Sequence, residues 1–341
     1  MSVSEQTRSA GTIAVRNLIG VLLAAVAAVS FSLRSIFVKL AYQGMHDPVT
    51  LLALRMIFAL PFFIVALALH SRFADRSGEK RISSRDFVGL LGLGFVGYYL
   101  SSLLDMIGLQ FVSAGVGRLL LFIYPTIVVV ISALVLGKKT TRTEIAALAI
   151  TYAGVALVLS NNYGGSGEYF WFGAGIIALS AVSFSVYLVG SGEIVARVGT
   201  VRFTAYATMA ACLFCILHFL AFRPLQALVL PARVYELAIA MSIVSTVMPI
   251  FMMAEALRRI GASRVAMISA LGPIATVVAG KLGLDEAMTW LQALGGALIV
   301  LGVLMVGVQA RNRDARKALP ADDAHDEPAS VDGRSLRRVD S

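Results

Sequence analysis

The sequence predicts an all-α integral membrane protein, with ten transmembrane helices arranged as two inverted five-helix repeats. Three observations carry that prediction. Of its 341 residues, 58% are hydrophobic and only 14% charged, with mean hydropathy +0.82, whereas soluble domains carry about 25% charged residues. Apolar runs of about 20 residues, the length that crosses a bilayer core, recur between polar, Gly, Pro or Asn clusters. The second half of the chain also restates the first.

Segment 1–17 is polar, with Arg8 and Arg16, and no small-residue cleavage site follows, so an uncleaved first span and a short cytoplasmic lead are expected. The predicted spans are 18–40, 49–70, 87–110, 114–136, 144–160, 170–191, 203–222, 234–255, 264–283 and 288–309. They group into a first repeat over 18–160 and a second over 170–309. Segment 310–341, with Asp322, Asp323, Asp326, Glu327, Arg337 and Arg338, has no apolar period and reads as a disordered cytoplasmic tail.

The distribution of bases tests this count, because short cytoplasmic loops collect Lys and Arg. With the N-terminus inside, Arg72, Arg76, Lys80, Arg81, Arg85, Lys138, Lys139, Arg142, Arg197, Arg202, Arg258, Arg259 and Arg264 all fall on the cytoplasmic side. Arg223 and Arg233 fall on the other side, with Lys39 and Lys281 near helix ends, where long side chains snorkel. Both termini are therefore expected in the cytoplasm, in a multi-pass protein of the cytoplasmic (inner) membrane. The net charge of +9 sits in loops and tails, so it does not signal nucleic acid.

Ala28-Val29-Ser30-Phe31-Ser32 recurs as Ala181-Val182-Ser183-Phe184-Ser185, an offset of 153. Later the offset is 148, pairing Leu109 with Leu257, Ala114 with Ala262, Pro125 with Pro273, Leu134 with Leu282, and Gly154 with Gly302. Five helices is an odd number, so the second half enters the membrane from the opposite side. Inverted repeats place a substrate site between the halves and permit two mirror-related conformations.

The stretch Leu104 to Pro125 holds an acid, Asp105, and a base, Arg118, on either side of the turn Ser113-Ala114-Gly115. At about 1.5 Å of rise per residue both lie about 8 to 12 Å from that turn, at a depth where they can pair. Charges inside membrane helices are costly and face a bundle interior or a watery cavity; the pair is read either as part of a substrate site or as a structural clamp. The 148 offset takes Asp105 to Met253 and Arg118 to Ala266, so the charges occur in one half only.

Other inward polar candidates are Ser30, Ser32, Arg34 and Ser35 in the first helix, Ser183 and Tyr187 in the sixth, and Tyr98, Tyr99 and Ser102 in the third. Tyr124 beside Pro125 and Ser245 in the eighth complete the set. For the serines, close packing of helices through small residues is the competing explanation. Glu255 stands three and four residues before Arg258 and Arg259, the spacing of a local helical ion pair. Arg55 and His218 are lone polar groups for which a satisfied core or interface role is expected. The only cysteines, Cys212 and Cys215, read as buried hydrophobes. No metal and no cofactor is expected, and no GxxxxGK[ST] run points to ATP.

Ser30 through Lys39, Leu54-Arg55, the run Ala256 to Ser263, Leu271-Gly272-Pro273 and Leu284-Asp285-Glu286 with Gly295, Gly296 and Gly302 together resemble the EamA-type proteins of the drug/metabolite transporter superfamily. The likeness spans about 18–309. It departs from the family pattern where a Trp is usual near Phe31, an Asn near Arg34, an acid at Lys138 and a small apolar residue at Arg118. The resemblance implies a carrier, often an exporter of amino acids or other metabolites, with a cavity between the halves. On that reading the partners are a small-molecule substrate, the lipid bilayer and protons as coupling ion, with oligomeric state left open. Arg34 or Arg118 would hold a substrate carboxylate, Asp105 an amine or the coupling proton, and Tyr98, Tyr99 and Tyr124 would form aromatic walls. The alternative is a membrane-embedded enzyme acting on a lipid or isoprenoid.

Overall fold

A computed structural model describes residues 3–74, 82–137, 140–160 and 169–318. The basic residues Arg76, Lys80, Arg81, Lys138 and Lys139 and the tail beyond 318 lie outside the described residues. Among the described residues there is no strand, and ten helices are long and apolar enough to cross a membrane. We number them α1 (Asn17–Tyr42), α2 (Pro48–Arg72), α3 (Ser84–Gly108), α4 (Ala114–Leu136), α5 (Arg142–Ser160), α6 (Phe170–Val198), α7 (Thr200–Phe222), α8 (Ala232–Ile260), α9 (Met267–Leu284) and α10 (Trp290–Gln309). The protein is a multi-pass membrane protein. Its exposed apolar side chains, such as Phe62, Ile64, Val65 and Leu69 on α2, would be a liability in water and are what a lipid-facing surface requires.

The helix that contains α10 runs on to Ala318, past the predicted end of the tenth span at 309. Several spans also extend one or two turns past their predicted ends. Helix hydrogen bonding continues into the polar interface until a specific terminator intervenes: Ser83 accepts from the Asp86 N–H at the start of α3, and Thr141 from the Glu144 N–H at the start of α5.

Packing obeys the internal symmetry. Helix α1 lies against α8 and α9, just as its repeat partner α6 lies against α3 and α4; α2 meets α7, and α5 meets α10. Each half is thus braced by the first helix of the other. In the α5–α10 seam, a Cβ placed on Gly154 would lie 2.5 Å from the Gly295 carbonyl oxygen, and one on Gly302 would lie 2.7 Å from that of Ala147. Adding 148 to Gly154 and Ala147 gives Gly302 and Gly295, so the two close approaches are one contact seen twice. Without a hydrophobic drive between helices in lipid, backbone approach through small residues holds such pairs.

Irregularities repeat as well. Phe95–Leu100 in α3 and Ile243–Val247 in α8 are π-helical turns that start 148 residues apart, and such turns are frequently found at functional sites. The left-handed residues that close α4 and α9, Gly137 (φ 61°) and Asp285 (φ 54°), also stand 148 apart. Both α4 and α9 break just before their matched prolines, at Phe122-Ile123 and at Ala270. One break has no counterpart: α1 interrupts at Leu33, while α6 is continuous. The Ser32 hydroxyl donates to the Ala28 carbonyl four residues back at 2.7 Å, as Ser185 does to Ala181 in the unbroken α6, so this bond alone does not break the helix. The Ser32 carbonyl accepts from Thr276 Oγ1 of α9 at 3.1 Å.

Candidate functional site

The break in α1 turns Arg34 toward α3, where its Nη2 meets Asp105 Oδ2 at 2.5 Å with both side chains nearly sealed from solvent. This corrects the sequence expectation that Asp105 pairs with Arg118. Arg118 instead donates from Nη2 to Ser32 Oγ at 3.2 Å, and the same nitrogen lies beside Gly272 of α9. The shortage of side-chain volume at Gly272 leaves that space: a Cβ there would sit 2.7 Å from Ser32 Oγ and 3.2 Å from Arg118 Nη2. Both guanidinium groups lie over the same aromatic ring, with Arg34 Cζ 5.5 Å and Arg118 Cζ 5.1 Å from the centroid of Phe31. An aromatic quadrupole is attractive to cations, which eases the approach of two like charges.

Arg55 of α2 belongs to the same cluster. It is 3% exposed, lies within electrostatic reach of Arg34 and Asp105, and leaves Nε and Nη1 without a hydrogen-bond partner. The expectation of a satisfied core arginine does not hold. The sequence carries the signal, an arginine inside an apolar span, but the commoner role for such a residue is a satisfied one. Arg34 Nε and Arg118 Nε are unpartnered as well. Buried donors of this kind are scarce in proteins, and each calls for an explanation.

Beyond Arg118 the candidates form an aromatic chain. Tyr124 packs edge-on to Phe184 at 5.1 Å, Phe184 stacks on Tyr187 at 5.6 Å, and Tyr187 meets Tyr98 at 5.1 Å. The Tyr187 hydroxyl donates to that of Tyr98 at 3.3 Å. Gly97 makes room for this, since a Cβ there would lie 2.2 Å from the Tyr187 ring. Tyr99 points elsewhere, its hydroxyl 2.7 Å from His218 Nδ1 on α7. Ser102 is buried one turn before Asp105.

Ser183 donates to the Val96 carbonyl in the π-turn of α3 at 2.7 Å, and Ser245 to its own Met241 carbonyl at 2.8 Å. Both therefore satisfy backbone rather than standing free for a ligand. Ser185, the repeat partner of Ser32, donates to the Tyr124 carbonyl at 3.0 Å, so the α6–α4 contact mirrors the α1–α9 contact with Tyr124 in place of Gly272.

Several charges outside this centre have partners of their own. Glu286 of the α9–α10 turn accepts from the Ala114 N–H at 2.9 Å and the Gly115 N–H at 3.3 Å, capping α4 across the halves. Arg223 grips Asp47 in a fork, Nε to Oδ2 at 2.8 Å and Nη2 to Oδ1 at 2.9 Å. Burial pushes the Asp47 carboxyl up, but the hydrogen bonds from Arg223 and Thr50 outweigh it and hold Asp47 below the usual carboxylate range. Glu255 pairs with Arg258 and Arg259, as its spacing predicts. Cys212 and Cys215 are free and buried, and no cluster of metal-ligating side chains occurs among the described residues.

Comparison with known proteins adds four findings. The EamA-like transporter family matches residues 18–160 and again 171–308. "Uncharacterized transporter YcbK" of Bacillus subtilis (strain 168) is 34% identical over 284 residues, 81% of this chain and 88% of the relative. A "Probable terminal-alkyne amino-acid exporter" of Streptantibioticus cattleyicolor is 28% identical over 263 residues, 75% of this chain and 84% of the relative. A crystal structure superposes with TM-score 0.58 over 86% of this chain and 98% of its own, at 19% identity, and speaks for the fold alone.

Proposed function

The chain belongs to the EamA-like transporter family and is a membrane transporter rather than an enzyme, and from that premise we propose that it exports a small polar metabolite, an amino acid or derivative, by alternating access between its two repeats. The observation that carries the reading is Arg118, a guanidinium buried where α1 and α4 of one half meet α9 of the other, whose one side-chain hydrogen-bond partner among the described residues is Ser32. A transport site must bind its substrate and release it, so the binding group has to be free of a permanent ionic partner; Arg118 meets that condition and Arg34, held by Asp105, does not. Arg118 then takes the substrate carboxylate. Asp105 exchanges Arg34 for the coupling proton when the halves rock, and Tyr124, Tyr98 and Tyr187 wall the path.

The protein sits on this reading in the cytoplasmic membrane with both termini inside, in line with its loop charges. The similarity to a relative named for amino-acid export supports the substrate class. The test is counterflow in proteoliposomes loaded with a labelled panel of amino acids, N-acyl amino acids and dicarboxylates. The wild type should exchange at least one member, and Arg118→Gln, folded by its unfolding temperature, should not. Exchange at wild-type rate by Arg118→Gln would remove Arg118 from the site.

A further inference from the structure

Three guanidiniums, Arg34, Arg55 and Arg118, are buried within electrostatic reach of one carboxylate, Asp105, which is paired with Arg34 alone, and this leaves two positive charges uncompensated. No other acid among the described residues relieves them. Asp47 is taken by Arg223, Glu286 by the start of α4, Asp86 and Glu193 by Arg197, Glu236 by Arg233, and Glu255 by Arg258 and Arg259, while Glu144 bonds Thr141 at the start of α5 and Asp285 is exposed. A desolvated cation without a counter-charge is among the costliest features a fold can carry, the more so inside a membrane. Unpartnered donors remain on all three arginines, Arg55 Nε and Nη1, Arg118 Nε and, despite its acid, Arg34 Nε.

Resting on the transport reading of this cluster and going beyond it, we propose that the substrate is a dianion, a small metabolite with two carboxylates and no free ammonium group, held by Arg118 at one end and Arg55 at the other. A zwitterionic amino acid brings no net charge and leaves both excess cations buried. Its ammonium group would also need Asp105, which Arg34 occupies. Two carboxylates neutralise the excess and fill the open donors with charge-assisted bonds, for which the guanidinium fork is suited. Substrate loading and charge compensation then become one event, and the empty cluster is driven to reload.

The experiment records the unfolding temperature of the full-length protein in detergent against succinate and N-acetylglutamate as dianions, acetate as monoanion, glutamine as zwitterion and lysine as cation. Wild type, Arg118→Gln, Arg55→Gln and, as a charge-keeping control, Arg118→Lys are compared. The dianions should stabilise the wild type, glutamine and lysine should not, and each Arg→Gln change should weaken the apparent affinity at least about tenfold. Arg118→Lys should keep part of the response.

If glutamine stabilises as well as the dianions do and Arg118→Gln abolishes both responses, the cluster is a substrate site but the dianion preference is wrong. If a dianion stabilises wild type and both Gln variants alike, the cluster is not the site and the transport reading of it falls too. If neither dianion stabilises any form, the dianion proposal is overturned, and the carrier reading is judged by counterflow alone. Should a Gln variant fail to fold, dianion-specific counterflow by wild type, weakened in Arg118→Lys, supports the proposal, and counterflow without preference for dianions overturns it.

Discussion

Asp105 is bound by Arg34 across the break in α1, at 2.5 Å, and not by Arg118. Removing one member of a buried ion pair strands the other, typically at a cost of about 3–5 kcal/mol. Asp105→Asn should therefore lower the unfolding temperature far more than the double change Arg34→Leu, Asp105→Leu, and a double-mutant cycle should return a large favourable coupling. Coupling near zero would mean that solvent or lipid headgroups already screen the pair.

Gly272 is the gap that lets α9 approach Ser32 and Arg118. Gly272→Ala puts a methyl group 2.7 Å from Ser32 Oγ and 3.2 Å from Arg118 Nη2, so both side chains must give way. Transport should fall with substrate affinity before stability does, because the displaced group is the site's own arginine. A variant with unchanged transport and affinity would show that the approach is not needed for function.

Gly154 and Gly295 meet backbone to backbone, and a side chain on either would enter the other's carbonyl. Gly154→Val or Gly302→Val should separate α5 from α10 and reduce the yield of folded protein, by similar amounts because the repeat makes the contacts equivalent. Retention of the wild-type unfolding temperature by either would show the seam to be dispensable.

Glu286 caps α4 from the opposite half through the Ala114 and Gly115 amides. The repeat-equivalent position is Lys138, which has no carboxylate to offer. Glu286→Ala should destabilise by about 1 kcal/mol, the usual worth of an N-cap. It should also change cysteine-labelling rates at the 109–113 turn relative to the 261 turn. Equal effects at both ends would argue against a one-sided latch.

Asp47 carries a carboxyl held below its ordinary value by Arg223. A depressed folded pKa contributes stability that is present at neutral pH, begins to be lost below the unfolded carboxylate range, and is gone once pH falls through the folded value. The wild type should thus lose unfolding temperature on acidification relative to Asp47→Asn, which lacks this dependence. Parallel acid profiles for the two proteins would show that the fork adds nothing to stability.

Much of this was legible in the chain itself. Apolar run length, the placement of Lys and Arg and the 148-residue offset determine ten spans in two inverted halves, because a bilayer demands fixed lengths and internally satisfied backbone. They also determine that Asp105, Arg118 and Arg34 are unusual. Which of them pair was decided by tertiary structure: at the break in α1 the Ser32 carbonyl is taken by Thr276 of α9, and no one-dimensional pattern encodes a contact between residues 32 and 276. The same is true of Arg55, which in sequence is one polar residue in an apolar helix. Only the folded bundle, by engaging the other acids elsewhere, leaves that arginine and Arg118 without a counter-charge.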